Sequence, residues 1–137
     1  MEGEHLTEQV IGCAMKVHRA LGAGFLESVY KKALSLELQK IGLPVEIEKP
    51  LHVYYEGENV GDFYADLIVD GSLLVELKAA VCLSKADEQQ LVNYLTATQS
   101  DYGLLINFGA GSLEFRRKYQ KRRETVPVNL RNPVNPV

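Results

Sequence analysis

The stretch Tyr64-Ala65-Asp66-Leu67-Ile68-Val69-Asp70-Gly71-Ser72-Leu73-Leu74-Val75-Glu76-Leu77-Lys78-Ala79 decides how this chain folds. Two apolar runs, Leu67-Ile68-Val69 and Leu73-Leu74-Val75, flank a turn at Asp70-Gly71, the pattern of an antiparallel strand pair. Sheet cores rarely hold ionisable groups without a reason, yet Asp66, Glu76 and Lys78 sit in these runs. Alternation along the second strand puts Glu76 and Lys78 on one face, with Val75, Leu77 and Ala79 on the other. Whether Asp66 joins them depends on the parity of the turn. A two-residue Asp70-Gly71 loop sets Asp66 opposite Val75 and throws Asp66 and Glu76 to opposite faces. A three-residue Asp70-Gly71-Ser72 loop sets Asp66 directly against Glu76, their Cβ atoms roughly 5 Å apart. We expect the odd-length loop, or a bulge with the same effect.

Upstream, strands are expected from Val45 to Tyr55 and, after a Glu56-Gly57-Glu58-Asn59 turn, from Val60 to Val69. With the strand from Leu73 to Ala80 they make an antiparallel meander. Two helices precede it. Thr7 reads as the N-cap of a first helix of about fourteen residues, with Leu6 and Ile11 at staple positions and Val10, Ala14, Met15, Val17 and Leu21 at helical spacing. Gly22-Ala23-Gly24 ends that helix, and a second runs from Gly24 or Phe25 until Gly42 and Pro44 stop it. Downstream, Ser84 and Asp87 resemble a capping box for a third helix that lasts to about Thr98. Strands from Tyr102 to Phe108 and from Leu113 to Tyr119 complete an α/β domain over residues 1–119. Residues 120–137 form a basic and then proline-rich tail, expected to be extended and poorly ordered.

At 137 residues, 46% hydrophobic and 24% charged, the chain fits one domain with an adequate core. It has no run of about 18 apolar residues for a membrane span, and its first residues lack the layout of a secretory signal. The expectation is a cytoplasmic protein with no membrane partner. Cys13 and Cys82 lie far apart without Cys-x-x-Cys spacing, as reduced thiols do. Fifteen basic against eighteen acidic residues, net charge −3, argue against a strongly non-specific nucleic-acid binder. Arg116, Arg117, Lys118, Lys121, Arg122 and Arg123 crowd near the C-terminus and leave the rest acidic. Such a run is more often a solvated edge strand than a nucleic-acid track, but it holds the best candidates for phosphate contact.

A hard divalent cation such as Mg²⁺ takes oxygen ligands, usually one or two carboxylates completed by water and phosphate. Asp66 and Glu76 provide the carboxylates, and the Leu77 carbonyl could add a backbone oxygen. Lys78 could orient or deprotonate a water and stabilise charge on phosphorus. The same residues also read as a surface Asp beside a cross-strand Glu–Lys pair, because Asp…Glu-x-Lys is a short, permissive pattern. Gly24 to Tyr30 reads Gly-x-x-Glu-x-x-Tyr, with Glu27 and Tyr30 on one helical face. Glu27 equally suits a helix N-terminus, where it could pair with Lys31, while Tyr30 packs. Gln90 and Tyr94, four apart on the third helix, line a site or form a surface hydrogen-bonding pair. His18 shares a face with Ala14, Met15 and Leu21, the setting of a core or boundary histidine rather than a ligand.

In combination these motifs resemble the GxxExxY family of the PD-(D/E)XK nuclease superfamily, over roughly Leu6 to Tyr119. The resemblance is carried, in order, by Val17 to Gly22, Gly24 to Tyr30, Tyr64-Ala65-Asp66-Leu67, Val75-Glu76-Leu77-Lys78-Ala79, Gln90 to Leu95 and Gly103 to Gly109. It implies a mixed sheet of about four to five strands flanked by helices. It implies that Asp66 and Glu76 bind Mg²⁺ or Mn²⁺, that Lys78 serves catalysis, and that Glu27 adds an acidic group. Gln90 and Tyr94 match a Gln-x-x-x-Tyr motif that, in the exonuclease-like branch, lines the site and contacts substrate or a metal-bound water. Two departures stand out: Tyr64 lies where the family commonly has Arg, and Asp87 where members often carry His. Both make the site more acidic.

The function so implied is metal-dependent hydrolysis of phosphodiester bonds in nucleic acid, with DNA favoured over RNA. The alternative is a nuclease-fold domain that no longer cleaves and binds a protein or nucleic-acid partner, with a homodimer as one form of it. A small-molecule enzyme using Glu27 and Glu76 as an acid/base pair lacks any cofactor fingerprint in the sequence.

Overall fold

The apolar runs form the centre of a single five-stranded sheet, described for residues 2–120 in a computed structural model. The element order is α1 (Glu2–Leu21), α2 (Glu27–Lys40), β1 (Val45–Tyr55), β2 (Glu58–Val69), β3 (Leu73–Lys78), α3 (Lys85–Thr98), β4 (Tyr102–Asn107) and β5 (Glu114–Tyr119). Strands follow the order β1-β2-β3-β4-β5. The pairs β1–β2, β2–β3 and β4–β5 are antiparallel, whereas β3 and β4 are parallel and use α3 as the crossover such a pair requires. This is the expected α/β architecture, a mixed sheet flanked by helices.

Two apolar layers cover the sheet. On one face Val10, Ala14 and Val17 of α1 and Tyr30, Leu34 and Leu38 of α2 pack over Leu67, Val69, Val75, Leu77, Leu104 and Ile106. On the other, Leu91 and Leu95 of α3 pack over Ala65, Leu74 and Leu105. The central strands β3 and β4 are buried from both sides, so Leu73-Leu74-Val75 and Leu104-Leu105-Ile106 read as unbroken apolar runs instead of alternating ones. β1 lies at the edge of the sheet, the position where a strand tolerates a proline such as Pro50.

The decisive turn has odd length. Val69 pairs with Leu73, which leaves Asp70, Gly71 and Ser72 in the loop, and the Ser72 amide donates to the Val69 carbonyl at 3.1 Å. Asp70 and Gly71 both take left-handed φ, at 54° and 69°. The β1–β2 turn is tighter than expected: Glu56 and Gly57 close it in two left-handed residues, so β2 begins at Glu58 rather than Val60. The Ser84–Asp87 capping box forms in both directions at the start of α3.

Thr7 is not an N-cap. It lies inside α1, which is already helical at Glu2, and its buried hydroxyl donates to the Gly3 carbonyl one turn earlier. A helix interior can satisfy a threonine this way, so hydroxyl chemistry alone does not mark a helix start. Leu6 and Ile11 are core residues rather than a staple. Gly3 is accommodated because the Tyr102 ring packs directly against it, where a Cβ would collide. Of the tail expected over residues 120–137, Gln120 is held by its amide to the Asp101 carbonyl and by its side chain to Thr96, and residues 121–137 lie outside the described residues.

Candidate active site

The regular β2–β3 ladder stops at Leu67–Val75. One step further in the same register Asp66 faces Glu76, and there side chains take over from the backbone. The Leu77 amide donates to Asp66 Oδ2 at 2.8 Å, and the Asp66 amide donates to Glu76 Oε1 at 3.4 Å. β2 also changes face at this point. Ala65 and Ile68, three apart, both pack beneath α3, while Leu67 and Val69 face α1 and α2. A regular strand would put Ala65 and Leu67 on one face. On the other flank Glu48 falls opposite Asp66, between the pairs Ile47–Leu67 and Lys49–Ala65, and has a left-handed φ of 53°. Pairing therefore lapses on both sides of Asp66. Such irregularities re-aim side chains, and this one leaves the Asp66 carboxylate in the opening between strands.

The charges around that opening are unequal. Lys31 of α2 reaches Asp66 Oδ1 at 2.9 Å and Glu48 Oε2 at 3.1 Å; the Lys31 and Asp66 side chains are each 15% exposed. Burial alone would lower the Lys31 pKa, but its hydrogen bonds to Asp66 and Glu48 and their charges outweigh burial, so the net shift is upward. The expected Glu27–Lys31 pair does not form, because the half-enclosed Asp66 is the stronger anchor for that ammonium. Burial, and then the neighbouring Asp66 charge, push the Glu76 carboxyl up to about 8. The Asp66 amide and the Lys78 charge offset only part of this.

Not every expected residue reaches this centre. Lys78, at the end of β3, points its ammonium toward Asp87 Oδ1 at 3.9 Å. Tyr94 stacks on Phe63, with ring centroids 3.7 Å apart. Its phenol is raised by burial and then by the charges of Glu76 and Asp66, so it lies within their field. Gln90 is exposed on α3, three residues after Asp87 and four before Tyr94 on the same helical stripe, and its side chain makes no hydrogen bond among the described residues. Glu27 stands exposed at the first turn of α2, one turn before Lys31, also without a hydrogen bond or ion pair among the described residues. No side-chain hydrogen bond or ion pair joins either residue to the central cluster among the described residues.

Tyr30 and His18 are structural. The Tyr30 hydroxyl donates to the Gly22 carbonyl and accepts the Phe25 amide, and its ring stacks on Phe108 at 4.6 Å, which ties the α1–α2 loop to the end of β4. His18 Nε2 hydrogen-bonds the Ala110 carbonyl at 3.0 Å.

Four contributors were not singled out in the sequence. Lys31 was paired with the wrong carboxylate, and Glu48 needed the β1–β2 register to be seen. Asn107, fully buried, donates to the Ala80 carbonyl and to Glu114, and its Oδ1 accepts the Ala80 and Gly109 amides. Glu114 also accepts the Leu83 amide at 3.0 Å. This network holds the segment that follows Lys78, and a Cβ at Gly109 would collide with the Ala80 backbone.

The donors suit a hard divalent cation. Two carboxylates are held together in a partly buried place that disfavours two negative charges, a penalty that a cation would offset. The Leu77 amide points to the β2 side, so its carbonyl does as well and adds a third oxygen. Among the described residues no three His, Cys, Asp or Glu side chains come together as a group that could hold a metal ion, so the donor set here is the two carboxylates and backbone oxygen alone.

Residues 4–118 match the family model of the PD-(D/E)XK nuclease superfamily. The chain belongs to that superfamily. No curated protein and no solved structure matches it significantly. As a PD-(D/E)XK protein it has the expected mixed sheet, with Asp66 on β2 and Glu76 and Lys78 on β3. Among the described residues no helix is long and apolar enough to cross a membrane.

Proposed function

We propose that this protein is a divalent-metal-dependent nuclease that hydrolyses phosphodiester bonds, preferably in DNA, and that it falls in the GxxExxY family of its superfamily. The observation that carries this is the opening at Asp66 and Glu76, where two carboxylates replace the strand ladder with Lys78 alongside. Asp66, Glu76 and the Leu77 carbonyl would hold Mg²⁺ or Mn²⁺, which when bound polarises a phosphodiester oxygen and acidifies water.

The chain's own residues supply the rest. At 3.9 Å from Asp87 the Lys78 ammonium is too far for a hydrogen bond, so its donors are available to a phosphate oxygen or an attacking water. Tyr94, kept protonated by its surroundings, can donate its hydroxyl proton to substrate. Glu27 and Gln90, exposed on α2 and α3, would contact the nucleic acid.

A second reading, a nuclease-fold module that binds without cleaving, is favoured by Tyr64. This residue is 67% exposed where the resembling family carries a cation. Purified protein with Mn²⁺ should nick or degrade DNA, and Glu76→Ala and Lys78→Ala should abolish that activity. Equal cleavage by all three proteins would refute the nuclease reading, and binding without cleavage by wild type would select the second.

A further inference from the structure

Both oxygens of Asp66 are already engaged. Oδ2 accepts the Leu77 amide, and Oδ1 holds the Lys31 ammonium. A cation that takes Asp66 as a ligand must therefore share that carboxylate with a resident positive charge, and like charges at such short range repel strongly where water is scarce. Lys31 has somewhere else to go. Its ammonium already touches Glu48, whose left-handed backbone sets it across from Asp66 and whose side chain is 63% exposed. A lysine is a compact charge with three donors on a flexible stem, so it can give up Asp66 and keep Glu48.

We infer that Lys31 is the built-in counter-ion of this site: it competes with a divalent cation for Asp66 and withdraws onto Glu48 when the cation binds. The inference rests on the metal reading above and adds to it a two-position lysine that sets how tightly the site loads. In the metal-free protein the Lys31–Asp66 pair neutralises a half-buried carboxylate, so loss of the lysine should expose that charge to whatever cation is present.

The test is calorimetric titration of Mn²⁺ into wild type, Lys31→Met and Lys31→Arg, with thermal melting of each protein with and without the ion. Lys31→Met keeps the stem and removes the charge, so it should bind Mn²⁺ about tenfold more tightly than wild type. Its melting temperature should also rise more on adding Mn²⁺. Lys31→Arg should stay near wild type. Unchanged or weaker binding by Lys31→Met overturns the inference while leaving the metal site intact. Absence of binding by wild type and both variants overturns the metal reading and the inference with it.

Glu48→Gln, at an exposed residue, provides an independent test if Lys31→Met does not fold. It deprives the lysine of its second anchor and should weaken binding about threefold; equal or tighter binding counts against the inference. In the Lys31→Met background Glu48→Gln should have no effect. A full effect there would mean that Glu48 acts on the ion directly rather than through Lys31.

Discussion

At the turn end of the β2–β3 pair, Leu67, Ile68 and Val69 meet Val75, Leu74 and Leu73 in a regular ladder sandwiched between α1 and α2 on one side and α3 on the other. One residue beyond, in the same register, Asp66 and Glu76 face each other across a gap where carboxylates accept the backbone amides. The difference shows how one strand pair divides its work. The apolar end supplies burial that stabilises the fold, and the charged end holds two like groups in a place that favours neither being ionised alongside the other. The second arrangement persists because the first fixes its geometry.

The comparison can be broken at either end, and the largest effect should come from the charged one. Lys78→Ala removes a partly exposed ammonium that makes no close hydrogen bond among the described residues. It should cut cleavage by on the order of 10³-fold with little change in melting temperature. Leu74→Ala at the apolar end should do the reverse, costing about 3 kcal/mol in denaturant unfolding while Mn²⁺ affinity of the folded protein is unchanged. A large loss of affinity in Leu74→Ala would mean that the two ends are not separable.

A smaller effect should appear in the pH dependence of metal-free stability. The Glu76 carboxyl titrates at about 8 in the folded protein against an ordinary value of 4.5. The folded state thus binds this proton more tightly, so the stability it contributes is fully present below about pH 4.5 and is lost as pH rises through about 8. Glu76→Gln removes the loss. With chelator present it should be more stable than wild type at pH 8.5 by on the order of 2 kcal/mol, the difference shrinking to nothing by about pH 4. A constant difference across that range would contradict the shift. The smallest effect is at the start of α3, which carries Asp87 and Tyr94 past the site: Ser84→Ala breaks the capping box and should cost about 1 kcal/mol by thermal melting.

Much of this was readable in the residues. Period-two alternation leaves two parities open at Asp70-Gly71-Ser72, and the odd one, which alone sets Asp66 against Glu76, is the one the strand pair adopts. The capping box at Ser84 and Asp87 and the apolar strands β3 and β4 were equally local. What could not be read depends on long-range geometry. The face change of β2 at Asp66 arises from pairing lapses on two neighbouring strands, and neither Glu48 nor Ala65 announces it. Lys31 lies on a helix that packs against the opposite face from α3, and only tertiary packing brings it to Asp66 instead of Glu27. Asn107 looks like the polar end of a strand, and its role emerges from the approach of Gly109 to Ala80. Thr7 misled for a different reason, since its hydroxyl is satisfied as well inside a helix as at its start.

The central claim is that Asp66 and Glu76 form one cation site. Titrating Mn²⁺ into wild type and Asp66→Asn by calorimetry tests it most directly. The account predicts a single site in wild type that disappears in Asp66→Asn. No binding by wild type at millimolar ion, or the same binding by both proteins, would contradict it.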